Sequence, residues 1–154
     1  MTSPRLNPYQ VAPAAIKPMV DLQNYVQNCG LEHSLVELVK IRASQINGCA
    51  YCLNMHTADA RAAGETEARL YLLSAWHEST LYTPRERAAL AWTDALTLVA
   101  QSRASDADYE QAASQFTPEE LVKLTLLIGT INVWNRIAIG FRSIHPSEAK
   151  QKAA

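Results

Sequence analysis

Two short segments, Thr83-Pro84-Arg85-Glu86 and Thr117-Pro118-Glu119-Glu120, carry the same signal, and it constrains the fold more than any other feature of the chain. Thr offers a side-chain oxygen to the unpaired N–H groups at the start of a helix. Pro suits the first helical position, and Glu three residues after Thr completes a capping box. Behind the first segment come Ala88, Leu90, Ala91, Ala95, Leu96 and Val99 at helical spacing; behind the second, an apolar stretch from Leu124 to Ile139 runs nearly all round the helix. No segment shows sustained period-two alternation of β-branched and aromatic residues. Asn47-Gly48 falls between two helical patterns and reads as a helix stop. The pattern predicts an all-α protein.

The rest of the chain divides in the same way. Residues 1–12, broken by Pro4 and Pro8, read as an irregular arm. Helices are expected from about Pro13 to Asn28 (with Pro18 in its first turns), from Glu32 to Asn47, from Gly48 or Cys49 to Gly64, and from Thr66 to Glu78. A short helix should start at Ser105, and the last should begin at Thr117 and reach Gly140. This makes one domain over residues 13–145, a bundle of about six or seven helices, with a flexible tail over 146–154. A length of 154 residues suits a single domain, and 48% hydrophobic against 19% charged residues suits a packed core. The last helix, apolar nearly all round, should be the buried centre of the bundle or part of a subunit interface.

Charge narrows the partners. Fourteen basic and fifteen acidic residues leave a net charge of −1, which gives no footprint for nucleic acid or an anionic membrane. The N-terminus lacks the apolar core of a signal peptide. The longest uncharged apolar-rich run, Leu124 to Asn135, is shorter than the roughly 20 residues of a membrane helix. The expectation is a soluble protein of the reducing cytoplasm. There a close cysteine pair is catalytic or metal-binding more often than structural.

Such a pair exists. Cys49-Ala50-Tyr51-Cys52-Leu53-Asn54-Met55-His56 holds a Cys-x-x-Cys with a His one helical turn after the second Cys. On a helix, Cys52 and His56 are neighbours, and Cys49 shares their face. If Gly48 breaks the chain direction, both cysteines fall in the first turn of a new helix, where the macrodipole favours a thiolate and the imidazole can take the thiol proton. One thiolate can then attack while the other resolves the product to a disulfide. Zinc is the sharper rival: Cys49, Cys52 and His56 would need a fourth ligand from Glu37, His33, His77 or His145. A thioredoxin-type site would need a strand before the pair, and that segment reads as helix. Cys29 alone reads as a small core residue.

Pattern alone sets Glu37 with Lys40 and Ser44, opposite the Leu35/Ile46 face, as a solvated acid pairing with Lys40. Arg42 projects onto the apolar face and calls for a carboxylate partner or an extended stem. His33, His77 and His145 read as structural or surface residues, and Trp76, Trp92 and Trp134 as core or interface anchors. Trp134 with Asn132, Asn135 and Arg136 could instead reach the reactive segment from a neighbouring helix.

The spacing Glu37, eleven residues, Cys49-Ala50-Tyr51-Cys52, three residues, His56 resembles the alkylhydroperoxidase AhpD-like branch of the carboxymuconolactone decarboxylase family at all four spaced positions. The resemblance extends through Ser44-Gln45-Ile46-Asn47-Gly48, through His56 to Gly64, and to Asn132-Val133-Trp134-Asn135-Arg136. It implies an all-helical fold, a homo-oligomer (trimer or hexamer), and a thiol peroxidase acting on hydroperoxides. It also implies no bound cofactor, the electrons coming from an external dithiol or lipoyl-type reductant. By carry-over, Cys52 is the peroxidatic thiol and Cys49 the resolving one, with His56 and Glu37 as proton relay. Tyr51 stands where the best-known members of the branch have a His, so a second imidazole is not carried over. Two other functions fit the pair: a disulfide redox protein or stress sensor without peroxide turnover, and a zinc-binding structural module.

Overall fold

A computed structural model describes residues 3–147. Nine α-helices and no strand occur among them. They are α1 (Pro8–Val11), α2 (Pro13–Gln27), α3 (His33–Asn47), α4 (Ala50–Ala62), α5 (Glu67–Leu72), α6 (Pro84–Thr97), α7 (Val99–Ser102), α8 (Asp106–Ala113) and α9 (Pro118–Phe141), with a 3-10 turn over Leu73–Ala75 after α5. Seven of these are the expected helices. The two additional ones are single turns that apolar periodicity cannot reveal.

One of them lies in the arm. Asn7 caps α1 by accepting from the Tyr9 N–H, and Pro8 occupies the first helical position, so the arm is partly helical. It is also fastened: the Arg5 N–H donates to the Phe141 carbonyl and its guanidinium to that of Gly140. The fourth expected helix stops at Leu72 and tightens into the 3-10 turn before reaching Glu78. Both Thr-Pro capping boxes form, at α6 and α9, and Ser105 with Asp108 makes a third at α8. The expected tail starts at Pro146; residues 148–154 lie outside the described ones.

The centre of the bundle is α3, packed against α4, α6 and α9. Every residue from Leu35 to Ile41 is buried, polar ones included. Arg42 finds its carboxylate: Nε and Nη2 grip Asp94 of α6 at 2.6 and 2.8 Å, a largely buried bidentate pair. Helix α9 packs its Leu121, Leu124, Leu127, Ile128 and Ile131 inward, while Val122, Leu126, Val133 and Ile139 remain exposed. It continues past Asn135 through Arg136, so by length and apolarity alone it would suffice to cross a membrane. Cys29, Trp76 and Trp92 are buried in the core.

Candidate active site

Gly48 turns the chain. Its φ of +69° ends α3 in the left-handed region, where glycine carries no Cβ penalty, and α4 starts at once in a new direction. Cys49 is therefore the N-cap of α4, and its sulfur accepts from the Cys52 N–H at 3.4 Å. The two sulfurs are 2.7 Å apart and unbonded. Both cysteines are buried, wedged with Ala43 of α3 and Ile131 and Ala138 of α9. The Asn135 amide of α9 reaches both thiols, and Asn135 is itself held by the Ser44 hydroxyl at 3.0 Å and the Asn47 amide at 2.8 Å. Asn132 joins this lattice through Asn47, and Arg136 through Asn132. The late Asn-rich segment thus does contact the cysteine pair.

The pair shares one proton. The Cys52 thiol donating to Cys49 outweighs burial and, with the Cys52 N–H and Asn135, holds the Cys49 thiol at about 7. Cys52 keeps that donated proton and is buried beside a negative sulfur, so its own ionisation is pushed far up. Of the two thiols Cys49, at the helix N-terminus, is the more readily ionised, and Cys52 is the one that lines the cavity described below.

One turn along α4, His56 Nδ1 meets Glu37 Oε2 at 3.0 Å, and Lys40 Nζ donates to Glu37 Oε1 at 3.0 Å. Lys40 also donates to the Gln27 carbonyl of α2. Glu37, Lys40 and His56 are all buried. This corrects the reading of Glu37 as a solvated acid: it pairs with Lys40 as expected, but inside the protein, because α3 is enclosed all round from Leu35 to Ile41. Burial alone would raise the Glu37 carboxyl; the His56 hydrogen bond and the Lys40 charge prevail and hold it at about 2.

Cys52, His56, Glu37 and Lys40 form one wall of a cavity of about 970 Å³. The lining also has an apolar part, with Leu6, Tyr9, Val20, Trp134 and Ile137, and Tyr9 stacks on Trp134 at 6.4 Å between ring centres. His33 lines it too, whereas His77 stacks on Trp76 away from it.

Two sets of metal-type donors lie at the site. Tetrahedral thiolates on zinc at about 2.3 Å stand roughly 3.8 Å apart, wider than these sulfurs. Glu37, His56 and Asp59 bring donor atoms within 4.8 Å of one another, but the Glu37 oxygens are engaged by an ammonium and an imidazole.

Known proteins match this chain in sequence and in fold. Residues 13–95 match the carboxymuconolactone decarboxylase family. The uncharacterised protein YdfG of Bacillus subtilis is 44% identical over 137 residues, 89% of this chain and 93% of its own length. A crystal structure of an Agrobacterium tumefaciens protein of unknown function, assigned provisionally to AhpD antioxidant defence, superposes with a TM-score of 0.91 at 49% identity. It covers 94% of this chain and 99% of that one. The AhpD core of a peroxidase-related protein from Ralstonia eutropha shares the fold at 19% identity, with a TM-score of 0.79 over 91% of this chain and 75% of that one. The debrominase Bmp8 also shares the fold, with a TM-score of 0.77 at 16% identity over 90% and 75%. With its spaced Glu37, Cys52 and His56 brought to the cavity by α3 and α4 and Cys49 buried behind Cys52, this chain belongs to the carboxymuconolactone decarboxylase family, in its AhpD-like branch.

Proposed function

We propose that the protein is a thiol-dependent peroxidase that reduces hydroperoxides with electrons from an external dithiol. The observation that carries this reading is the placement of Cys52 on the cavity wall, with the Cys49 sulfur 2.7 Å away and His56, held by Glu37 of α3, one turn along the same helix. A redox pair needs a substrate-facing sulfur, a second sulfur within bonding reach and a proton acceptor, and these three are together.

The steps balance as follows. His56 takes the proton from Cys52, and the thiolate attacks the terminal peroxide oxygen. The O–O bond breaks, and the departing alkoxide regains the proton from His56 as an alcohol. Cys52 becomes a sulfenic acid. The Cys49 thiolate then attacks the Cys52 sulfur, the S–O bond breaks, and hydroxide leaves as water after taking a proton from solvent, which replaces the one Cys49 lost on ionising. The resulting disulfide is reduced by a dithiol, which is itself oxidised to a disulfide. The N-cap position favours this order, because the charge held on Cys49 is the nucleophile needed for the second step.

Mass spectrometry of the reduced protein after brief exposure to hydrogen peroxide or cumene hydroperoxide tests it. The wild type should form a Cys49–Cys52 disulfide, and Cys49→Ser should trap a sulfenic acid on Cys52. Thiols that stay unmodified would refute the proposal. A disulfide that forms with oxidised dithiols but not with peroxides would favour a disulfide redox protein.

A further inference from the structure

The steps above use Glu37 and His56 but leave Lys40 without a part. Its side chain is 2% exposed, and its ammonium donates to one Glu37 oxygen and to Gln27. An ammonium in such a place is costly unless paired, so its presence has to be matched by a fixed negative charge. That charge is shared: the other Glu37 oxygen holds His56 Nδ1.

Counting protons shows what the sharing does. With Lys40 charged, Lys40 and the Glu37 carboxylate together are neutral. His56 then needs only to donate Nδ1–H from a neutral ring, and Nε2 keeps its lone pair. Remove the ammonium and a buried carboxylate is left without compensation, so the Glu37–His56 unit takes up one proton more. If the proton goes to the imidazole, Nε2 carries it as imidazolium. If it goes to the carboxyl, the O–H donates to Nδ1 and the ring proton moves to Nε2. Both routes turn Nε2 from acceptor to donor. A thiol proton can pass only to an acceptor.

We infer that Lys40 is a positioning residue that keeps Nε2 of His56 unprotonated, and so determines that the imidazole takes a proton from the pair instead of offering one. Its use in catalysis rests on the peroxidase reading; the proton placement itself does not.

The other groups facing His56 do not supply this charge. On its own helix these are Cys52, Tyr51 and the exposed Asp59, and on α3 there is His33. The arm brings Tyr9 to the cavity, α2 brings the amides of Gln23 and Gln27, and α9 brings Trp134, Ile137 and Ala138. Among these described residues Lys40 is the one fixed cation.

The test is nitrogen-detected NMR of the histidine rings at pH 7 in wild type, Lys40→Gln, Lys40→Met and Lys40→Arg, with His56→Gln to assign the signal. Lys40→Gln keeps a donor for Glu37 and removes only the charge. In wild type and Lys40→Arg, Nε2 should be unprotonated; in Lys40→Gln and Lys40→Met, protonated. The ascending limb of the pH–rate profile should move up by about one unit or more in the uncharged variants, so activity at a fixed pH on that limb falls about tenfold or further. An Nε2 already protonated in wild type, which needs no variant to fold, would overturn the inference. An Nε2 still unprotonated in folded Lys40→Gln would do the same. Because the NMR readout needs no turnover, the expected ring states in a protein that consumes no peroxide would uphold this inference while refuting the peroxidase reading.

Discussion

Glu37 shows how strongly a single residue depends on its surroundings. Its carboxyl ionises at about 2 in the folded chain against an ordinary 4.5. Between these values the unfolded state binds more protons. The stabilisation is therefore complete above pH 4.5 and is lost as pH falls toward 2, and it amounts to about 3 kcal/mol. Glu37→Gln removes it and leaves the Lys40 ammonium buried without a counter-charge, so at pH 7 the variant should be less stable by about 3 kcal/mol. Urea unfolding of both proteins from pH 7 to pH 2.5 should show that gap narrowing below pH 4.5; a constant gap would mean that the charge of Glu37 is not what stabilises. Spacing made Glu37, Cys49, Cys52 and His56 legible as one set before any coordinates. The burial of Glu37 and Lys40 was not legible, because a helical wheel assigns a polar stripe to solvent, and from Leu35 to Ile41 α3 has no solvent side. Ser44 and Asn47 were legible only as part of a family-like segment, and Asn135 only as one of a group able to reach the reactive segment, without its target atom. Nothing in sequence shows that an amide 83 residues beyond Cys52 returns to its sulfur.

At the scale of elements, the site depends on the abrupt change of direction between α3 and α4. One residue makes it, Gly48 with φ +69°, and no atom lies within 4 Å of where a Cβ would be. A side chain there meets no clash, so the cost is conformational only. Gly48→Ala should destabilise by about 1 kcal/mol through the left-handed backbone alone. If the helix end relaxes to relieve that strain, the Cys49 N-cap and the Glu37–His56 contact shift together. The expected result is a modest loss in thermal stability with a larger, disproportionate loss in disulfide formation under peroxide. Equal and small losses in both would mean that the turn tolerates the substitution without moving the site. The punctuation of the helices was the most readable part of the fold, since caps are local chemistry: Thr83, Thr117 and Gly48 all act where their sequence context places them. The one-turn helices α1 and α7 were not readable, because four residues complete little more than one turn and carry no periodicity.

Among the described residues, the outer face of α9 exposes an apolar stripe. Val122, Leu126, Gly129, Val133 and Gly140 of α9 are exposed, and at 100° per residue they fall on one stripe, about 27 Å long at helical rise. Val122 is 61% exposed and Leu126 40%, although α9 buries its other face in the core. Small residues in such a stripe let another backbone approach, and branched ones supply apolar area. A monomer gains nothing by keeping them in water. We propose that this stripe joins copies of the chain, which agrees with the trimer or hexamer that the family resemblance implies. Sedimentation velocity at micromolar concentration should show one species larger than a monomer, and Leu126→Glu with Val133→Glu should shift it to the monomer without unfolding, since neither side chain belongs to the buried set of α9. A wild type that sediments as a monomer would remove the stripe from the argument, and a double variant still assembled would move the interface elsewhere. The cavity adds a second consequence. Its apolar wall includes Leu6 and Tyr9 of the arm, both exposed, and the arm is pinned to the end of α9 through Arg5. Because Arg5 fastens the arm within a single chain, the dispersed variant should keep peroxide-driven disulfide formation; its loss would mean that assembly, and not this pin alone, orders the cavity that Cys52 lines.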